Sequence, residues 1–366
     1  MTSAHSHMRF SQSAAPLLLT ATLLICVATP GSAQYTVTNL VSNQTAIGAN
    51  PADPDLVNAW GLTSLAASPF WVSDNVTGKS TLYNSLGQKQ NLVVTIPPAS
   101  GPGLGTPTGV IGNAAPAPSS FVVSITQGGV TKSGKALFLF ATQDGTISGW
   151  SPAVLPTTAV IAVPSSNVGA SYTALTIFTN SAGTSFLYAA NNVDGGGIDM
   201  FNDNFKLLQT FSDRHIPQKF APYGIRVIND QLWVTFAGTN KANSGFVDVF
   251  QINDPDGTLT KLFEANGPLH SPWGLALAPE NFGPFSNAVL VGNNIKDGEI
   301  NAFDPGTGKF LGHLADGNGR PIAINQLWGL EFGKGAGVNG ATNELFFTAG
   351  PNNYANGLFG VITVMP

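Results

Sequence analysis

Six copies of one short pattern, spread along almost the whole chain, constrain its fold more than any other feature of the sequence. Each copy has a large or β-branched residue, then glycine or alanine, then a branched aliphatic residue, and the small residues of successive copies are 48, 65, 50, 50 and 55 residues apart. A strand that ends on an aromatic residue follows most copies in phase. Repeats of this length with several short strands each are typical of β-propeller blades. The copies are Trp60-Gly61-Leu62, Thr108-Gly109-Val110, Thr173-Ala174-Leu175, Tyr223-Gly224-Ile225, Trp273-Gly274-Leu275 and Trp328-Gly329-Leu330.

The repeats predict an all-β fold: a six-bladed β-propeller with four-stranded blades, in one domain over residues 34–366. The segment Tyr35–Val41 alternates polar and branched residues, as strands do, and precedes the first repeat. The last repeat ends on Leu358–Val364 without a fourth strand. We therefore expect the N-terminal strand to complete the sixth blade and close the ring. The longest step between repeats predicts surface loops in blade two, at residues 114–118 and 127–130.

The first 33 residues have the pattern of an export signal. An apolar run from Pro16 to Val27 is followed by small residues up to Ala33, which predicts cleavage before Gln34. The run is too short to cross a bilayer, so we expect no membrane span and a periplasmic or extracellular location. An uncleaved anchor is the alternative. The only cysteine, Cys26, lies within this segment, so the exported chain would form no disulfide.

The composition excludes one class of partner. Lys and Arg number 15 against 20 Asp and Glu, giving a formal net charge of −5, and no basic stripe occurs. Nucleic-acid binding needs a clustered basic surface, so it is not expected. The partners that remain open are a small molecule, a glycan or another protein.

Two of the repeat starts also carry a resemblance to known proteins. Pro222–Ile225 with Leu232–Thr235, and again Pro272–Leu275, resemble NHL-type propeller repeats and the related repeats of streptogramin lyases. The chain after residue 35, including Ala302–Gly312 and Leu345–Asn352, resembles an uncharacterised family of exported bacterial propeller proteins. This resemblance implies the fold and export, but it implies no activity, because one fold serves many functions.

Six-bladed calcium-dependent lactonases and gluconolactonases are similar in architecture, and they place Asn, Asp or Glu metal ligands around the channel, commonly just before the glycine of the inner strand. Here those positions hold aromatic residues or threonine, and none is a carboxylate. The catalytic histidine pattern of streptogramin lyases is not reproduced beside the glycine either, since His270 lies three residues too early.

Four of the six repeats begin with an aromatic residue. Because inner strands start at one face of a propeller, these rings would lie near one circle. They would either wedge between the blades as core or line the channel mouth as a stacking or cation–π surface for a sugar or an organic cation. The predicted ligand-binding residues are Trp60, Tyr223, Trp273 and Trp328.

Asn and Asp side chains recur where the second strands end. Turn formation explains them, but a ring of such oxygens is also how a hard cation is held. No cofactor is required by the sequence, and Ca²⁺ is the metal ion that these oxygens would suit. The predicted metal ligands are Asp74, Asp144, Asn192, Asp194 and Asn293.

Only two charged residues occupy the position two residues after the small residue of a repeat, Arg226 and Glu331. They would form a salt bridge in the channel or anchor a polar ligand. His270 precedes a repeat start and is the candidate general acid–base, although a lone histidine is usually structural or exposed. Glu331, Arg226 and His270 are thus the predicted catalytic residues if the protein is an enzyme.

The sequence favours a module that binds a ligand or serves as a scaffold through its channel face. A metal-assisted lactonase or lyase, with its site at the channel mouth, is the alternative.

Overall fold

Six small antiparallel sheets arranged in a ring form a six-bladed β-propeller, as the repeats predict. The predicted signal peptide, including Cys26, lies outside the described residues. Within the described part of the chain, no helix is both long and apolar enough to cross a membrane. The computed structural model describes residues 1–2, 34–165, 169–212, 216–217, 219–238 and 244–365.

In the first three blades the chain runs from the channel outwards, with the repeat start on the inner strand. The N-terminal strand β1 spans Tyr35–Ser42. Blade one contains β2 (Ala59–Thr63), β3 (Phe70–Asp74), β4 (Lys79–Tyr83) and β5 (Lys89–Thr95); blade two contains β6 (Pro107–Gly112), β9 (Phe138–Thr142), β10 (Ile147–Trp150) and β11 (Val160–Val163), with β7 (Val122–Gln127) and β8 (Val130–Lys135) inserted after β6; blade three contains β12 (Tyr172–Thr179), β13 (Ser185–Asn191), β14 (Ile198–Asn202) and β15 (Leu207–Phe211).

The remaining blades follow the same order. The four strands predicted for blade four are all present, which confirms the repeat phase. Blade five carries one extra strand of two residues, β24, which pairs with β22. Blade four contains β16 (Phe220–Ile228), β17 (Gln231–Gly238), β18 (Gly245–Ile252) and β19 (Leu259–Ala265); blade five contains β20 (Pro272–Leu277), β21 (Val289–Asn293), β22 (Gly298–Phe303), β23 (Phe310–His313) and β24 (Ala323–Ile324); blade six contains β25 (Leu327–Phe332), β26 (Leu345–Ala349) and β27 (Leu358–Val364).

The N-terminal strand closes the ring, as predicted. Strand β1 pairs with β27 in antiparallel register from Tyr35 opposite Val364 to Ser42 opposite Leu358. The Tyr35 side chain is buried, and its hydroxyl donates to the carbonyl oxygen of Phe282 at 3.0 Å. The two ends of the described domain are thereby tied together through a ladder of backbone hydrogen bonds.

The prediction of simple loops in blade two is incomplete. Residues 128–129 do form an exposed turn, but the strands β7 and β8 flank it and form a separate two-stranded hairpin. Its outer face carries hydroxyl pairs, Ser124 with Ser133 at 2.9 Å and Thr126 with Thr131 at 2.8 Å. Such pairs stabilise strand pairing locally.

The small residue of each repeat lies where neighbouring inner strands come closest. A Cβ atom at several of these glycines would overlap a backbone carbonyl oxygen of the next inner strand. Only glycine allows that approach, so the tiny residue is required by blade-to-blade packing and not by a turn. The overlapping pairs are Gly61 with Thr108, Gly224 with Trp273 and Gly274 with Trp328.

Threonine hydroxyls join inner strands where the repeat starts lack an aromatic ring. Thr108 donates to the carbonyl oxygen of Tyr172 at 2.7 Å, and Thr173 donates to that of Tyr223 at 2.7 Å. The two repeats that begin with threonine are therefore tied to the next blade by a hydrogen bond instead of by ring packing.

Substitution of Gly224 by alanine is expected to destabilise the protein by about 1–3 kcal/mol, because the added methyl group must displace backbone. Gly337→Ala is the matched control, since a Cβ there meets no atom within 4 Å and neither glycine has a left-handed φ. Denaturant unfolding of the two variants measures the difference. Equal stabilities would contradict the close-approach explanation.

Candidate functional site

Arg226 and Glu331 meet in the channel, which confirms that the two charged inner-strand residues are neighbours. Arg226 Nη2 lies 2.5 Å from Glu331 Oε2. Arg226 Nη1 also donates to the carbonyl oxygens of Leu275 and Leu330, both at 3.0 Å. The guanidinium therefore joins the inner strands of blades four, five and six.

Lys334 completes this ion cluster, and the sequence analysis did not single it out. Its Nζ lies 2.5 Å from Glu331 Oε1. Burial pushes the pKa of Glu331 upwards, but the charges of Arg226 and Lys334 outweigh burial and hold it below its ordinary value. Both carboxylate oxygens are thus occupied and the group stays ionised at neutral pH. This arrangement is that of a structural ion cluster.

The channel itself holds little space. Its cavity has a volume of about 50 Å³ and is lined in part by Thr63, Thr176, Arg226 and Glu331. That volume admits water but no organic ligand. An organic ligand would therefore not fit inside the channel.

The predicted aromatic residues pack against one another at the end where the inner strands begin. Trp60 and Trp328 stack with ring centroids 3.7 Å apart, and Tyr223 and Trp273 each contact both rings edge-on. Trp60, Trp273 and Trp328 are buried within a core cluster. The interpretation as interblade core is therefore correct for most of this ring surface.

An open pocket of about 500 Å³ lies above these rings. Trp60, Tyr223 and Trp328 line it, whereas Trp273 lines the channel cavity below. Three of the four predicted aromatic residues are thus brought to one site. The other lining residues are Asn58, Asn75, Val76, Gln143, Asn353, Tyr354 and Ala355, contributed by blades one, two and six.

Tyr354 reaches the pocket from an unusual turn that follows β26. Asn352, Asn353 and Tyr354 have φ angles of 60°, 53° and 66°, a left-handed conformation that costs energy for residues other than glycine. The Tyr354 ring lies 5.6 Å from that of Trp328, and its hydroxyl donates to Asn294 Oδ1 at 2.8 Å. Asn352 and Asn353 are of a residue type that adopts this conformation more readily than most.

Among the described residues, no charged side chain lines the mouth pocket. Burial raises the pKa of the Tyr223 hydroxyl well above its ordinary value, and burial also raises that of Tyr354, so both phenols are neutral at physiological pH. The pocket offers ring surface, amides and hydroxyls, which suit neutral polar groups.

The predicted metal ligands are used elsewhere. Asn192 Nδ2 donates to the carbonyl oxygen of Pro222 at 2.9 Å, on the next inner strand. Asn75 donates to Pro107 at 3.1 Å in the same way. Asn293 accepts from the His270 N–H at 3.0 Å and holds the segment before β20. The recurring asparagines therefore tie blades and loops together.

The predicted carboxylate ligands do not converge either. Burial raises the pKa of Asp74 well above its usual range, and its side chain accepts from the Thr81 N–H at 3.0 Å. Asp144 accepts from the Ala99 N–H at 2.8 Å, and Asp194 lies in the turn after β13. Among the described residues, no group of three or more His, Cys, Asp or Glu side chains could hold a metal ion.

His270 is exposed, and it is absent from the residues that line the channel cavity and the mouth pocket. The structure therefore does not bring it together with Arg226 and Glu331. The three residues predicted for catalysis form no common site in the described part of the chain.

The ion cluster gives stability a defined pH dependence. The folded pKa of Glu331 lies below its unfolded value of about 4.3, so its contribution is complete above that pH and is lost as the pH falls through the folded pKa. Glu331→Gln is expected to cost about 1–3 kcal/mol at pH 7 and to flatten the acid loss of stability. Urea unfolding between pH 7 and pH 3 measures both, with exposed Glu280→Gln as control. Parallel profiles for wild type and Glu331→Gln would contradict the ion-pair role.

Comparison with solved structures identifies the same fold in two enzymes. A gluconolactonase from Xanthomonas campestris aligns with a TM-score of 0.51 and 13% identity, over 87% of this chain and 99% of that chain. A streptogramin B lyase aligns with a TM-score of 0.50 and 12% identity, over 90% of this chain and 97% of that chain. At such identities the likeness shows the fold alone.

Sequence comparison finds closer relatives. No protein-family model matches the chain. An uncharacterized protein of Acanthamoeba polyphaga mimivirus is 29% identical over 344 residues, which covers 90% of this chain and 80% of the relative. A second uncharacterized protein of the same virus is 30% identical over 346 residues, which covers 90% of this chain and 85% of the relative. Both are viral, so neither tests the predicted resemblance to an exported bacterial family. The chain belongs to the same family as the second mimivirus protein.

Proposed function

We propose that the protein is a binding module for a neutral, polar ring compound, with sugars as the leading class, and that the ligand occupies the mouth pocket. One observation carries this proposal: a pocket of about 500 Å³ is lined by three large aromatic rings, Tyr354 and four amide side chains, and none of its described lining residues is ionised. Pockets for small ligands are commonly of this size and combine apolar surface with a few placed polar groups.

The absence of charge in the described lining argues for a neutral ligand. A phosphate or carboxylate ligand would need a cation or several N–H donors to replace its hydration, and an organic cation would need a balancing carboxylate or open ring faces. Arg226 and Lys334 are both occupied by Glu331, below the rings. The described pocket lining therefore has no charged group that could replace the hydration of a charged ligand.

The ring geometry favours ligand oxygen atoms over a cation. Trp60 and Trp328 cover each other's faces at 3.7 Å, so they do not form an open aromatic cage. Aromatic edges carry partial positive charge and attract electron-rich atoms. Hydroxyl, ether and carbonyl oxygens of a sugar-like ring satisfy both the ring edges and the amides.

Export is part of the proposal. Cleavage before Gln34 would release the domain that begins at β1, and the ligand would then be met in the periplasm or outside the cell. If the ligand is another protein, one of its side chains would occupy the mouth pocket.

The alternative function is a metal-assisted lactonase or lyase that uses Ca²⁺. The fold shared with the gluconolactonase and the streptogramin B lyase is what favours it. In this chain Asn192 joins neighbouring blades and Asn293 holds the loop before β20, and the described residues contain no group of three or more His, Cys, Asp or Glu side chains that could hold a metal ion. Binding without metal is therefore the function that the mouth pocket supports best.

Filling the pocket tests the proposal. Neutral monosaccharides and disaccharides are expected to raise the melting temperature of the wild-type protein. At a ligand concentration one hundredfold above the dissociation constant, binding adds about 2.7 kcal/mol to the free energy of unfolding. Val76→Trp places a large side chain in the pocket from an exposed position and is expected to abolish the shift. Val130→Trp, an equally drastic change on the exposed β7–β8 hairpin, is expected to keep it.

Two outcomes would contradict the proposal. A sugar-induced shift that survives in Val76→Trp would place the binding site elsewhere. Consumption of a lactone by the wild-type protein, lost on addition of EDTA and restored by Ca²⁺, would support the enzyme instead.

A further inference from the structure

We infer that the mouth pocket selects a ligand that carries a carbonyl oxygen as a neutral hydrogen-bond acceptor, and that Gln143 recognises this oxygen as a hydrogen-bond donor. This inference rests on the proposed function, because it specifies which chemical group the proposed ring ligand must present. The observation behind it is a hydrogen-bonded row of side chains, Asn58, Asn75 and Gln143, which we term the amide chain.

The amide chain begins at a tryptophan. Trp328 Nε1 donates to Asn58 Oδ1 at 2.9 Å, and Asn58 Nδ2 donates to Asn75 Oδ1 at 3.1 Å. Asn75 Nδ2 donates to Gln143 Oε1 at 3.0 Å. Each amide accepts at its oxygen and donates from its nitrogen, so all the hydrogen bonds run in one direction, from the buried ring outwards.

The indole fixes this direction. Its N–H can only donate, so Asn58 must present oxygen to Trp328 and nitrogen to Asn75. Rotating any single amide by 180° would place two donors or two acceptors face to face. The orientation of Gln143 is therefore set by Trp328, three hydrogen bonds away along the amide chain.

The free end of the amide chain is a donor. Asn75 Nδ2 donates its second hydrogen to the carbonyl oxygen of Pro107 at 3.1 Å. Gln143 is exposed and lines the pocket, and its Nε2 makes no hydrogen bond to another described residue. The group that the chain presents to the pocket is thus an NH₂ whose partner has to be an acceptor.

Burial of the amide chain strengthens the preference of the pocket for a hydrogen-bond acceptor. Trp328, Asn58 and Asn75 are 2%, 4% and 8% exposed, so most of the amide chain lies away from water. Successive hydrogen bonds polarise one another in such surroundings, which makes the terminal NH₂ a better donor. A ligand with a carbonyl oxygen at this point gains a hydrogen bond, while an ammonium group would meet a donor.

The contact from Asn75 to Pro107 shows that the amide chain also joins blades one and two. A purely structural amide chain would leave ligand preference unchanged when its last member is altered. The test therefore has to change the terminal donor and keep the acceptor that Asn75 needs.

Gln143→Glu makes that change. The carboxylate keeps an oxygen for Asn75 and removes the donor from the pocket. Gln127→Glu, with the same charge change on the exposed β7–β8 hairpin, is the matched control. The probes are D-glucono-1,5-lactone, freshly dissolved, and 1,5-anhydro-D-glucitol, which has the same ring and hydroxyl groups without the carbonyl oxygen.

Wild type and Gln127→Glu are expected to bind the lactone about tenfold more tightly than the anhydroglucitol, as measured by ligand-observed NMR titration. Gln143→Glu is expected to bind the two probes equally, to within about twofold, with its melting temperature unchanged. A preference that persists in Gln143→Glu, or equal binding by wild type, overturns the inference and leaves the proposed function intact. Failure of wild type to bind either probe overturns both.

Discussion

The close approach of neighbouring inner strands is the constraint on which the rest of this structure depends. At Gly61, Gly224 and Gly274 the backbone of the next blade occupies the space that a Cβ would need. Because the inner strands lie so close together, the channel is too narrow for anything larger than water. The same packing places the residues before four of the repeat glycines at one end of the channel, where their rings meet. These residues are Trp60, Tyr223, Trp273 and Trp328.

Chemistry is consequently divided between two levels of the channel. Below the rings, Glu331 is enclosed by Arg226 and Lys334, and these two charges lower its pKa and keep it ionised at neutral pH. Above the rings, the mouth pocket is open and has no charged side chain among its described lining residues. The ion cluster and the stacked rings leave no passage for an organic ligand through the channel, so the proposed ligand site lies at its mouth.

The propeller could be predicted from the sequence because its repeat is encoded by local residue size. The glycine in five of the six repeats follows from the close packing of neighbouring inner strands. The strand that precedes the first repeat and the three-stranded sixth repeat predict how the ring closes. The pairing of β1 with β27 and the meeting of Arg226 with Glu331 then follow from ring symmetry alone.

The mouth pocket was harder to predict, because its residues depart from the repeat. Asn58 lies just before the first inner strand, Gln143 follows a second strand, and Tyr354 belongs to a left-handed turn found in one blade. Their contacts join blades one, two and six, which no local pattern records. Recurring Asn and Asp in the sequence do not distinguish metal ligands from interblade ties, since both need the same side chains at the same positions. The hydrogen bond from Asn192 to Pro222 is an interblade tie.

The six tryptophans allow a direct test of where a ligand binds. Trp60 and Trp328 line the mouth pocket, whereas Trp71, Trp150 and Trp233 are buried away from it. Titration of ¹⁵N-labelled protein with neutral sugars and lactones, followed through the indole N–H signals, should shift the resonances of Trp60 and Trp328 and leave those of Trp71, Trp150 and Trp233 in place. Binding that shifts only the second group, or that leaves all six signals unchanged, would contradict a ligand site at the channel mouth.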